Sequence, residues 1–172
     1  MRRIAFASLF LVLAACSKDK EVNPPAELVD FRQTLAVERA WDASVGGGDA
    51  ALRLGLGATV VGDRVYAAGH GGEIAAFALA NGRALWQTKT KAPLAGSTGA
   101  DATLVVAGSS QGEVIALSGE SGSVLWRVRV RGEVLSAPLV APTAVVVRTV
   151  DGRLVALARE DGHALWSVEQ QI

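Results

Sequence analysis

Gly112-Glu113-Val114-Ile115-Ala116-Leu117-Ser118-Gly119-Glu120-Ser121-Gly122-Ser123-Val124-Leu125-Trp126 decides how this chain reads. One glycine opens a four-residue apolar run, and a second stands four residues before a tryptophan. The same phrase recurs 40 residues earlier, ending Gly82-Arg83-Ala84-Leu85-Trp86, and 40 later, ending Gly162-His163-Ala164-Leu165-Trp166, with no gap in the alignment. Trp41 is a fourth copy at an interval of 45, the extra residues falling in Gly46-Gly47-Gly48-Asp49-Ala50. Self-similarity at a fixed period of this size is the mark of a repeat architecture.

Within each unit the texture is β, with no helical period. Residues 60–68 read as one strand interrupted at Gly62-Asp63, with counterparts at 103–107 and 143–147. Residues 74–77 form a second short apolar strand. Asn81-Gly82, Ser121-Gly122 and Asp161-Gly162 read as tight hairpin turns, where glycine supplies a positive φ at little cost. A last strand alternates plainly, as in Trp126-Arg127-Val128-Arg129-Val130-Arg131, and a strand near residues 135–140 opens the next unit. Four short strands per 40 residues predict an all-β chain made of β-propeller blades, about three of them here, where a closed ring takes about 4–8 and an eight-bladed one roughly 320 residues. Trp41 aligns with the last strand of a blade whose first three strands do not precede it. The chain is therefore expected to be one portion of a longer protein, with a ring closed by several three-blade copies as the alternative. An open array leaves apolar blade faces at its ends, which predicts poor solubility for such a piece.

Large indole rings at fixed positions are suited to docking one blade on the next. On the last strand of the second unit, three arginines occupy the face opposite Trp126, with Lys89 and Lys91 at equivalent places one unit earlier. They read first as charged protection of an exposed edge, and second as a basic patch for an acidic partner.

The N-terminus has a different texture. Arg2 and Arg3 precede an apolar run over residues 4–15, followed by Cys16. Twelve residues of helix cover about 18 Å, too short for a bilayer core of about 30 Å, so residues 1–15 read as an export signal. Leu13-Ala14-Ala15-Cys16 resembles the lipobox of bacterial lipoproteins. That resemblance implies cleavage before Cys16 and acylation of its thiol and amine, and Ser17 in the next place implies sorting to the outer membrane. Acylation would also consume a thiol that is a liability in an oxidising compartment, and several acyl chains anchor more firmly than one. Residues 16–40, with Asn23-Pro24-Pro25, read as a lipidated tether, and 41–172 as the partial propeller.

Composition excludes more than it proposes. The chain of 172 residues carries 17 basic and 17 acidic side chains, and cleavage would remove two arginines, leaving 15 basic. This balance is not that of a nucleic-acid binder. One cysteine rules out an internal disulfide framework or a cysteine zinc cage, and two histidines leave little for another metal, so no metal ligands are assigned. His70 and His163 fall at positions that vary between repeats and read as solvated loops. Gly55-Leu56-Gly57 lacks the strand–turn–helix setting of a phosphate loop. No catalytic residue is assigned.

The spacing Ala76…Gly82…Trp86, repeated as Ala116…Gly122…Trp126 and Ala156…Gly162…Trp166, resembles the tryptophan-docking motif of propeller repeats named after pyrroloquinoline quinone. Ala78, Ser118 and Ala158 stand where those repeats usually carry an acidic residue, so that side chain's docking bonds are not expected. With the lipobox, tether and propeller in this order, the chain resembles the BamB family of outer-membrane assembly lipoproteins. The resemblance implies a non-enzymatic scaffold without cofactor, lipid-anchored at the periplasmic face of the outer membrane. Its implied partners are the periplasmic domains of the core barrel-inserting subunit and unfolded outer-membrane proteins. A quinone-dependent dehydrogenase and a generic periplasmic binding propeller are the alternatives on the same repeat, since function lives in sites and not in architecture.

Overall fold

A computed structural model describes residues 25–47 and 55–169. The export signal, Cys16 with its lipobox, the start of the tether and Gly48-Asp49-Ala50 lie outside the described residues. Residues 25–37 belong to one unit and carry neither helix nor strand, with exposed side chains; a second unit begins at Glu38.

The second unit contains three four-stranded antiparallel sheets, each a simple meander. The first runs β1 (Thr59–Val61), β2 (Arg64–Ala68), β3 (Glu73–Ala78) and β4 (Ala84–Lys89). The second runs β5 (Gly99–Ala100), β6 (Leu104–Gly108), β7 (Glu113–Ser118) and β8 (Val124–Arg129). The third runs β9 (Leu139–Val140), β10 (Ala144–Arg148), β11 (Arg153–Ala158) and β12 (Ala164–Glu169).

Three expectations need correction. Residues 60–68 are not one strand: β1 and β2 pair as a hairpin, with Val61 opposite Arg64 and a two-residue Gly62-Asp63 turn between them. Gly62 alone takes a positive φ there, 58°, the pattern of a type II′ turn. The Asn81-Gly82 class of dipeptide, by contrast, lies in a five-residue connection. Its Gly82 N–H donates to the Ala78 carbonyl at 2.9 Å, and only the glycine has a positive φ. The residue before it works through its side chain: Asn81 Oδ1 accepts the Arg83 N–H at 3.0 Å, and Asp161 Oδ1 accepts the His163 N–H at 3.1 Å. These are Asx turns, in which a short polar side chain bonds backbone two residues on. Trp41, finally, lies in a segment without strand pairing among the described residues.

The core sits between the sheets. Tyr66, Ile74, Leu94, Val105, Ile115 and Leu117 pack in the first seam, between the first and second sheets. Leu104, Val106, Val114, Val145, Val155 and Leu157 pack in the second seam, between the second and third. The middle sheet is thus covered on both faces, which is why β6 is buried at every residue and reads as an unbroken apolar run. Its counterpart β10 alternates buried and partly exposed residues. Each fully buried Val or Leu contributes about 1.5–3 kcal/mol. Neighbouring sheets also meet through their first strands, β1 on β5 and β5 on β9.

Candidate functional site at the blade seams

Each sheet presents one tryptophan from its last strand. Trp86, Trp126 and Trp166 are register partners of Ala76, Ala116 and Ala156 on the preceding strand, and all three alanines are fully buried. The pairing slips by one residue just after each alanine, and such a bulge re-aims the side chains beside it. Ala and Trp are thus partners within one sheet, while the glycine of the same phrase faces the tryptophan one repeat earlier.

Those seats are tight. A Cβ added to Gly82 would stand 2.7 Å from Cδ2 of Trp41, one on Gly122 would stand 2.6 Å from Cδ2 of Trp86, and one on Gly162 would stand 2.9 Å from that of Trp126. Their φ values are 69°, 71° and 78°, a region that side-chain-bearing residues rarely adopt. Each indole then donates its Nε1–H to a main-chain carbonyl in the same turn. Trp41 reaches Leu79 at 2.8 Å, Trp86 reaches Gly119 at 3.1 Å and Trp126 reaches Arg159 at 2.9 Å. A backbone acceptor is available whatever residue occupies positions 78, 118 and 158. Trp166 remains 47% exposed and donates no Nε1 bond among the described residues.

Polar groups that the sequence did not single out converge on the same turns. The Gly119 carbonyl accepts from Arg64 at 2.8 Å and Tyr66 at 3.2 Å, as well as from Trp86. Burial pushes the Tyr66 hydroxyl up, against the Arg64 charge, and keeps it a neutral donor. In the second seam Arg159 reaches across to Asp101 at 2.6 Å and to Thr103 Oγ1 at 2.7 Å. Partial burial raises the Asp101 carboxyl, but the Thr103 and Leu104 amides and Arg159 outweigh it and hold it below its ordinary value of 3.8. Asp101-Ala102-Thr103 was readable as an Asx turn, whereas no local pattern could join Arg159 to it across 58 residues.

The basic last strand is partly committed. Arg127 forms an ion pair with Glu113 at 3.3 Å and donates to the Thr90 carbonyl, just past β4, at 2.8 Å. Lys89 pairs with Glu73 at 3.8 Å. His70 Nδ1 lies 2.9 Å from the Leu94 carbonyl, and His163 Nδ1 lies 2.7 Å from Asp161 in its own turn. Gly57 N–H donates to Ser97 Oγ at 2.6 Å, and that hydroxyl donates to the Gly55 carbonyl at 2.9 Å, so this glycine pair is pinned by the segment that leads into β5. Among the described residues no three His, Cys, Asp or Glu side chains are grouped as metal ligands, and no helix is long and apolar enough to cross a membrane.

A family model described as outer membrane protein assembly factor BamB matches residues 33–98 and 81–172. The chain belongs to the BamB family. The factor of that name from Burkholderia pseudomallei is 38% identical over 107 residues, 62% of this chain and 27% of that protein. The chain therefore spans about a quarter of the length of the curated BamB relatives it matches. The crystal structure of BamB from Moraxella catarrhalis superposes with a TM-score of 0.63 at 25% identity, covering 69% of this chain and 37% of that one. A quinohemoprotein alcohol dehydrogenase from Pseudomonas putida HK5 gives 0.58 at 20% identity, over 69% of this chain and 21% of that one, a likeness of fold alone. The blade architecture is thus shared by BamB and by quinone enzymes, while the family match singles out BamB.

Proposed function

We propose that this chain serves as a non-enzymatic, lipid-anchored scaffold of the outer-membrane β-barrel assembly machinery. The reading is carried by the family match over residues 33–98 and 81–172. In this reading residues 1–15 are the cleaved signal, Cys16 carries the acyl chains, residues 16–40 are the tether and 41–172 the propeller portion. Trp41, Trp86, Trp126 and Trp166 dock successive blades, with Gly82, Gly122 and Gly162 as the seats and Ala76, Ala116 and Ala156 as the small strand partners beside the indoles. The partner is the core barrel-inserting subunit, met through its periplasmic domains, with unfolded outer-membrane proteins as clients. The protein then sits at the periplasmic face of the outer membrane and uses no cofactor.

A tightly packed stack of sheets offers a rigid surface, and rigid surfaces bind without a large ordering cost. Co-purification from solubilised outer membranes tests this: the tagged full chain brings down the barrel-inserting subunit. Consistent absence of that subunit, or binding of pyrroloquinoline quinone with electron transfer to a dye, overturns the scaffold reading.

A further inference from the structure

The turn that seats Trp41 contains a residue pair that can rearrange without an enzyme. The chain has two asparagines, and Asn23 precedes Pro24, whose nitrogen carries no proton. Asn81 precedes Gly82 and is exposed to water. Gly82 has no Cβ to hinder its main-chain nitrogen in attacking the side-chain carbonyl carbon, Cγ, of Asn81. A bond from Gly82 N to that Cγ then forms, the Cγ–Nδ2 bond breaks, and ammonia leaves with the proton from the Gly82 nitrogen. Water opens the resulting five-membered imide at either carbonyl, giving aspartate or isoaspartate at position 81. The other repeats carry Ser121 and Asp161 here. Serine has no carbonyl to attack. The His163 N–H and ring hold the Asp161 carboxyl below its ordinary value, and an ionised carboxyl is a poor electrophile.

The closed turn holds this reaction back. Gly82 N–H donates to the Ala78 carbonyl at 2.9 Å, and Arg83 N–H donates to Asn81 Oδ1 at 3.0 Å, so nucleophile and electrophile are each tied elsewhere. Trp41 lies over the turn, with its ring against Gly82 and its Nε1–H on the Leu79 carbonyl. Reaction therefore requires local opening, and opening requires the indole to leave. This closure is lighter than the other two. Gly122 and Gly162 are buried whereas Gly82 is half-buried, and Trp41 comes from a segment without strand pairing among the described residues. The two products differ in fit. An aspartate matches Asp161, whose Oδ1 accepts the His163 N–H at 3.1 Å in the third repeat's turn. An isoaspartate carries the main chain through one extra methylene group just before Gly82, which moves the glycine off the ring.

We propose that Asn81 is a deamidation site gated by the docking of Trp41 on Gly82, and that its isoaspartyl product unseats that indole. The site stands on the chemistry of the turn and is independent of membership in the assembly machinery. The full chain is aged in neutral buffer, and the peptide containing residue 81 is followed by mass spectrometry. An endoprotease that cuts at aspartate and spares isoaspartate separates the two products. The wild type reacts slowly when folded and at least about ten-fold faster in urea, a ratio equal to about 1.4 kcal/mol of closure. Trp41→Ala reacts faster than the wild type without urea, whereas Trp166→Phe keeps the wild-type rate. Trp41→Phe retains a ring but no Nε1 donor, and falls between Trp41→Ala and the wild type. Asn81→Ser, the residue of the second repeat, abolishes the modified peptide. In the aged protein the isoaspartyl fraction loses slow exchange of the Trp41 indole proton and the aspartyl fraction keeps it. Equal rates with and without urea, or Trp41 variants no faster than Trp166→Phe, overturn the gating. An unfolded chain that does not deamidate overturns the site, and an isoaspartyl fraction with a protected Trp41 indole overturns the unseating.

Discussion

Gly122 illustrates what a single residue does in this molecule. Its φ of 71° suits glycine, and a methyl group there would press on the Trp86 ring. Gly122→Ala combines a left-handed backbone penalty of about 1–2 kcal/mol with that clash. A loss of at least about 2 kcal/mol is therefore expected from urea unfolding; a change under about 0.5 kcal/mol would remove the seat from the explanation. The tryptophans themselves are not equivalent. Trp126 is 7% exposed and Trp166 47% exposed. Trp126→Ala should cost about 3–5 kcal/mol, as for a buried aromatic, and Trp166→Ala less than half of that. Equal losses would show that the two indoles share one environment. The recurrence of these glycines and tryptophans is legible in the sequence because a 40-residue repeat prints the same phrase several times. The roles of Arg127, Arg159 and Asp101 are not, because each acts at one seam only and its partner is distant in the chain.

Strands were legible where burial was two-sided. β6 and β7 pack against both neighbours, so their apolar runs stand out whatever the turn chemistry. The β1–β2 hairpin is not legible in the sequence because its two-residue turn interrupts an otherwise continuous apolar stretch. The form of the Asn81-Gly82 connection is not legible because a dipeptide does not reveal whether its polar residue takes a positive φ or bonds through its side chain. Asp101 marks a testable element, the β5–β6 turn tied to Arg159. Its carboxyl is lowered in the folded state, so its contribution is present above the unfolded value of 3.8 and is lost as pH falls through the folded value. The wild type should exceed Asp101→Asn in stability near neutral pH, and the gap should close as pH drops below about 4. Urea midpoints across that range decide it; a gap that widens in acid would contradict the ion-pair origin.

Three sheets joined by one repeated contact behave as a stack in which each interface supports the next. At the other end of the chain, the proposed acylation of Cys16 is what would tie the protein to a membrane. Cys16→Ser should abolish incorporation of labelled palmitate and shift the protein from the membrane to the soluble fraction; retained label would reject Cys16 as the anchor. The central structural claim is that successive sheets are held by indoles seated on glycine turns, and indole N–H exchange measured by NMR addresses it most directly. Trp41, Trp86 and Trp126 each donate Nε1–H to a carbonyl of the following repeat, and Trp166 does not among the described residues. Three indole protons should exchange slowly and one quickly, with Trp166→Phe deleting the fast signal. Four indole protons exchanging at the same fast rate would contradict it.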